Sequence, residues 1–196
     1  MAHQDAHLVQ TCYSGTVNDK LNQAGKLHAN LGGRAASVPG LTEALGQLRE
    51  HACALDEQMR AMEMGQRCGQ CAATPGGGCC SAFMAGNADA VQLLINLLMG
   101  IDVIHREQSG ENCGFLGPQG CLFLVKPIFC LNYNCSHILT GSEPGQLAAL
   151  YQRAAAVLRQ QTEVEGLLLE ELRKQWRSEA SLDAPPRINR DNLNAS

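Results

Sequence analysis

Aromatic residues are scarce: Phe, Trp and Tyr make up 4% of the 196-residue chain, which argues against a stacking platform for nucleobases or an aromatic cage for a cation. Positive charge is also in short supply. Lys and Arg number 15 against 19 Asp and Glu, and the net charge of −4 provides no basic field for a nucleic-acid backbone or an anionic membrane. No apolar run approaches the roughly 18 residues that a membrane span requires. The opening MAHQDAHLVQTCYSG lacks the basic cluster and apolar stretch of a secretory leader. These absences lead us to expect a cytoplasmic protein with neither a nucleic-acid nor a membrane partner. There is also no H-E-x-x-H and no G-x-S-x-G, and the P-G-G-G stretch at 75–78 lacks the Lys and Ser or Thr of a phosphate loop. Enzyme status therefore stays open at this level.

Cysteine, by contrast, is abundant, with ten residues. Cys12 and Cys53 stand alone, whereas Cys68, Cys71, Cys79, Cys80, Cys113, Cys121, Cys130 and Cys135 share residues 68–135. Disulfide staples belong to oxidising compartments and to domains too small to build a core, and a chain that is 45% apolar can build one. In a reducing cytosol such a thiol field reads as a metal or redox site, because thiolate sulfur is the soft donor that zinc and iron–sulfur clusters select. Cys12 and Cys53 read instead as small buried hydrophobes, Cys53 lying beside an apolar helical seam. His105 and His137 lie near the cysteine field, but the reading does not assign them as ligands.

The remaining pattern is helical. Val17, Leu21, Ala24, Leu27 and Leu31 mark a helix, with Gly32 and Gly33 placed for a left-handed C-terminal cap. Leu41, Leu45, Leu48, Ala52, Leu55, Met59 and Met62 form a heptad-like seam that ends at Gly65 and is expected to pack on the chain's own helices. Residues 66–86, with Pro75 and three successive glycines, read as loop. Asn87 then reads as the N-cap of a core helix over 88–99. Glycine and proline turns predict a short strand or hairpin around LFLVKPIFC. Ser142 precedes a further helical pattern, and Thr162-x-x-Glu165 has the form of a capping box, so this region is one bent helix or two. The expected fold is mainly α: a helical bundle of four to five helices over 1–180, a Cys-rich metal-binding region at 66–137 with a short β-hairpin, and a mobile tail at 181–196.

Cys68-x2-Cys71 has the spacing of a metal-binding knuckle, and Cys79-Cys80 and Cys113-x7-Cys121-x8-Cys130-x4-Cys135 extend it. The second half reads Cys113-Gly114-Phe115-Leu116, Gly120-Cys121, Lys126-Pro127, then Cys130 to Cys135 with Tyr133 between them. In these residues the chain resembles the YkgJ-type family of zinc- or iron-chelating domains, which carries a C-x2-C-x2-C-C motif and a later cysteine array. This chain differs in the seven residues between Cys71 and Cys79, in a lysine where the family has arginine before proline, and in a shorter segment from Cys121 to Pro127. Lys126 itself reads first as an exposed turn residue, with charge compensation near the thiolates as the alternative. The resemblance implies metal binding by the eight clustered cysteines without fixing the metal.

Irregular spacings, plentiful thiols and glycines that admit backbone N–H groups favour an iron–sulfur cluster, such as 4Fe-4S, over zinc. The expected role is redox, metal sensing or metal chelation. The alternatives are an iron–sulfur-dependent enzyme, since methylases occur among distant relatives of the motif, and a helical scaffold with structural zinc and a protein partner on its helical surface.

Overall fold

The computed structural model describes residues 2–74, 78–106, 112–133 and 135–182. Helix α1 (Ala2–Tyr13) stops before Gly15, whose φ of 95° a helix cannot accommodate. Helix α2 (Val17–Leu31) restarts behind a capping box, in which the Thr16 hydroxyl accepts from the Asp19 N–H and the Asp19 carboxylate accepts from the Thr16 N–H. A 3-10 turn (Gly32–Ser37) leads to α3 (Leu41–Ala61), followed by α4 (Met64–Ala72), α5 (Ala82–Ala85) and α6 (Ala90–Leu98). Strands β1 (Leu116–Gly117) and β2 (Gly120–Cys121) form an antiparallel hairpin with Leu116 opposite Cys121. After a 3-10 turn (Ile128–Leu131) come α7 (Ser136–Leu139) and α8 (Pro144–Leu182).

The chain is mainly helical with one short hairpin among the described residues. Helix α6 is the hub: seven consecutive residues, Ala90 to Asn96, are buried, as an almost wholly apolar sequence requires. It packs on α2 and α8, while α3 lies along α8 and buries Leu41, Leu48, Ala52 and Leu55. At 39 residues, α8 spans about 58 Å and buries Leu150, Val157, Val164, Leu168 and Leu172 on one face. No helix among the described residues is long and apolar enough to cross a membrane.

Several local expectations are corrected. Gly32 is right-handed (φ −55°) and continues into the 3-10 turn instead of capping left-handed. The cap of α6 is Asp89, not Asn87, because the Asp89 Oδ1 accepts from the N–H groups of Val91 and Gln92 at 2.9 and 2.8 Å. Thr162 caps nothing; its hydroxyl donates to the Leu158 carbonyl inside an uninterrupted α8. The hairpin lies upstream of LFLVKPIFC, which contributes a 3-10 turn. Residues 66–86 are not loop throughout, since α4 and α5 fall within them. Cys53 is exposed on α3, one position off the buried stripe that contains Ala52 and Leu55, whereas Cys12 is fully buried. Most of the expected tail, from residue 183 onward, lies outside the described residues.

Candidate metal centre

Five stretches of chain meet at one end of the bundle. Between α3 and α4 the chain turns through Glu63 at φ 53°, and α4 carries Cys68 and Cys71 three residues apart, hence on one face. Cys79 and Cys80 follow. The Cys113 N–H donates to the Cys80 carbonyl at 3.1 Å and Ser81 bridges Asn112, which laces the two cysteine regions together. The hairpin presents Cys121 from β2. The next segment is clamped onto α6: the Asn96 Oδ1 accepts from the Val125 N–H at 3.1 Å, and the Asn96 and Gln92 amides donate to the Val125 carbonyl. That clamp sets the turn bearing Cys130, and Cys135 stands just before α7.

Seven of the eight clustered cysteines line a single cavity of about 120 Å³. Cys68, Cys79 and Cys80 come from the first region and Cys113, Cys121, Cys130 and Cys135 from the second. Cys71 is the exception. Its sulfur packs beside Gly78, where a Cβ would meet it at 2.7 Å, and it stands within electrostatic reach of Cys79, Cys135 and Cys68. Cys12, Cys53, His105 and His137 do not line the cavity; His105 stacks edge-on against Phe115, with ring centroids 5.0 Å apart. All ten cysteines carry free thiols. Among the described residues, no three His, Cys, Asp or Glu side chains are drawn together tightly enough to hold one ion. The sulfurs converge on a shared space rather than on a point.

The thiols perturb one another. Cys80 hydrogen-bonds to both Cys68 and Cys79, which lowers the pKa of those two and raises its own. Cys79 falls to about 6, the Cys80 hydrogen bond outweighing burial, with the backbone N–H groups of Cys79 and Cys80 assisting. Burial raises Cys113 and Cys121, and raises Cys130 to about 12 with the neighbouring thiols adding to the effect. Lys126 opposes the rise at Cys121 and Cys130.

Lys126 is not the exposed turn residue expected from the sequence. It is 3% exposed and lines the cavity, with its ammonium donating to the Phe123 carbonyl at 3.2 Å and 3.9 Å from the Asp56 carboxylate. Its charge stands close enough to Cys121 and Cys130 to favour their anionic forms.

Cys79 should be the most reactive thiol of the metal-stripped, reduced protein, being exposed and about nine-tenths ionised at pH 7 but only about a tenth at pH 5. Its depressed pKa stabilises the fold above the ordinary thiol range, and that contribution is lost as the pH falls through about 6. Mass spectrometry after brief iodoacetamide treatment checks this; labelling of Cys79 no faster than Cys53 would contradict it.

The donor set fits a thiolate-bound metal. Backbone N–H groups of Phe115 and Leu116 point at the Cys113 sulfur, and that of Phe123 at the Cys121 sulfur, an arrangement that favours the anionic form. Several thiolates in a shielded cavity repel one another, and a cation makes their joint ionisation tolerable.

Close packing holds the frame. A Cβ on Gly65 of α4 would stand 2.2 Å from the Gln119 carbonyl oxygen, so only glycine lets α4 lie against the hairpin. We expect Gly65→Ala to cost about 1–3 kcal/mol in urea unfolding and to lower metal content by separating Cys68 from Cys121. Unchanged stability and loading would refute that role.

Reading the sequence alone missed the packing role of Gly65 and the Asn96 clamp, and preferred an exposed turn to the buried place that Lys126 takes. A signal for the clamp was present: Gln92 and Asn96 are the polar members of VQLLINLL and lie four residues apart, on one face of the helix. No family model matches the chain, and neither a curated protein nor a solved structure similar to it was found.

Proposed function

We propose that this chain is a metal-binding protein that holds an iron–sulfur cluster through its clustered cysteine thiolates, as its resemblance to the YkgJ-type family implies. The convergence of seven cysteines from distant parts of the sequence on one cavity carries this reading. Cys68, Cys79, Cys80, Cys113, Cys121, Cys130 and Cys135, which line the cavity, would supply the ligands, with Cys71 at its side completing the donor field. When bound, such a cluster supplies one-electron chemistry.

The protein's own contribution is threefold. It gathers the sulfurs, directs N–H groups and the Lys126 charge at them, and walls the cavity with Met59, Met64 and Phe129. Zinc in the same donor set is the alternative. Iron–sulfur is favoured because α2, α3, α6 and α8 bury a large apolar core of their own, including Leu31, Leu48, Leu94 and Leu168, whereas structural zinc serves domains that need it to fold. The apolar wall beside the sulfurs favours, as a second reading, an iron–sulfur-dependent enzyme with a substrate against that wall. We place the chain in the reducing cytoplasm, where free thiols persist.

The test is anaerobic purification followed by iron, acid-labile sulfide and zinc analysis. Visible absorption with stoichiometric iron and sulfide is expected. A colourless protein carrying only zinc reverses the choice of metal, and a reduced sample with neither metal overturns the proposal.

A further inference from the structure

Lys126 is a buried cation without an equal partner. Among the described residues its ammonium makes one hydrogen bond, to the Phe123 carbonyl, although the residue is almost wholly buried. Asp56 Oδ1 stands 3.9 Å away, at the limit of an ion pair, while Oδ2 of the same carboxylate accepts from the Arg60 Nε and Nη2 at 2.9 and 2.5 Å. A charge withdrawn from water is costly unless an opposite charge compensates it. Asp56 does so only in part, being 33% exposed and shared with Arg60.

The missing negative charge is at hand in the cysteine cavity, which Lys126 and Asp56 line together with Cys121 and Cys130. The main chain fixes their spacing. The Phe123 N–H points at the Cys121 sulfur while the Phe123 carbonyl receives the Lys126 ammonium, and the Cys130 N–H donates to the carbonyl of Pro127, the residue after Lys126, at 2.8 Å. On the other side of Lys126, the Asn96 clamp holds Val125 by both its N–H and its carbonyl. The cation is therefore held in place when the charge of the sulfur field changes.

A metal centre bound by several thiolates is a net anion, and an added electron makes it one unit more negative. A fixed cation attracts the more negative state more strongly, and burial limits screening by solvent. We propose that Lys126 sets the reduction potential of the thiolate-bound centre, holding it up by favouring the electron-rich state, with Asp56 as the counterweight that holds it down. This rests on the iron–sulfur reading above and adds to it the residue pair that governs electron uptake.

The test is voltammetry of the anaerobically purified full-length protein at neutral pH, in which the electrode supplies the single electron, with iron and sulfide measured on the same samples. Lys126→Met keeps the stem and removes the charge, and folds generally tolerate an apolar group of similar volume in place of a buried ion. It should make reduction at least about ten-fold less favourable, a potential lower by about 59 mV for one electron. Lys126→Arg keeps the charge and should stay within about two-fold of the parent. Asp56→Asn should make reduction at least about two-fold more favourable, a shift of opposite sign that loosened packing does not explain. A loaded Lys126→Met protein whose potential equals or exceeds the parent's overturns the proposal and leaves the iron–sulfur reading standing, as does a Lys126→Arg protein that shifts as far as Lys126→Met. Should Lys126→Met fail to fold or to load, Asp56→Asn decides: a raised potential upholds the proposal, and an unchanged or lowered one overturns it. A parent protein that holds no iron–sulfur cluster overturns both readings.

Discussion

Replacing Cys68 or Cys130 with serine is expected to reduce the metal content of anaerobically prepared protein by roughly ten-fold or more, since each removes a thiolate from the shared donor field. The control positions follow from the fold. Cys53 is exposed on α3 and does not line the cavity, so Cys53→Ser should leave loading intact. Cys12 is fully buried on α1, a helix that packs on α2, α6 and α8, and burial, with Asp89 adding, pushes its thiol up to about 11, which makes it a packing group. Cys12→Ala should lower stability by about 1 kcal/mol through lost packing while keeping the metal. Iron and sulfide measured per folded protein, with circular dichroism as the folding check, decides the matter. Equal loss at all four positions would mean that metal binds wherever a thiol is free, and the proposed centre would fall.

Asn96→Leu is expected to destabilise the protein by about 2–4 kcal/mol, seen as a melting temperature lower by about 5–15 °C. Asn96 pairs with both the N–H and the carbonyl of fully buried Val125, as a neighbouring strand would. Leucine leaves the Val125 N–H without its partner in the core, and an unmade buried donor costs more than a made bond contributes. Gln92→Leu supplies the contrast. It removes one donor to the Val125 carbonyl, which Asn96 still serves, and it also removes an orphan acceptor, so its effect should be much smaller. The segment between Cys121 and Cys130 is the one released in Asn96→Leu, so metal content should fall along with stability. An Asn96→Leu variant that melts with the parent would show that the clamp positions nothing.

Much of the helical frame is legible in the order of residues. The stripes at 17–31 and 41–62 and the apolar block at 91–99 announce their helices, because burial along a 3.6-residue period leaves a mark that single residues cannot hide. The failures are local. At Thr162 a capping box was expected, but caps form only where a helix begins, and α8 runs through Thr162 without interruption. Asn87 lost the cap of α6 to Asp89, two residues on, because either side chain fits the pattern and backbone geometry chooses between them. Cys68 and Cys71 lie on a helix where glycine and proline suggested loop, because the turn at Glu63 lets a new helix start against the hairpin.

The sequence by itself determined that this chain is a helical protein with its thiols crowded into one region, since periodicity and composition are local properties that no packing arrangement can erase. Only the tertiary structure decided that Cys68, Cys121 and Cys130 line one cavity while Cys71 stands at its side, that Lys126 is buried beside them, and that Gln92 and Gln161 each bury an unpaired acceptor. Such relations depend on where separate segments meet. That meeting is set by close approaches such as Gly65 against Gln119 and by the Asn96 clamp on Val125, neither of which has a period to read.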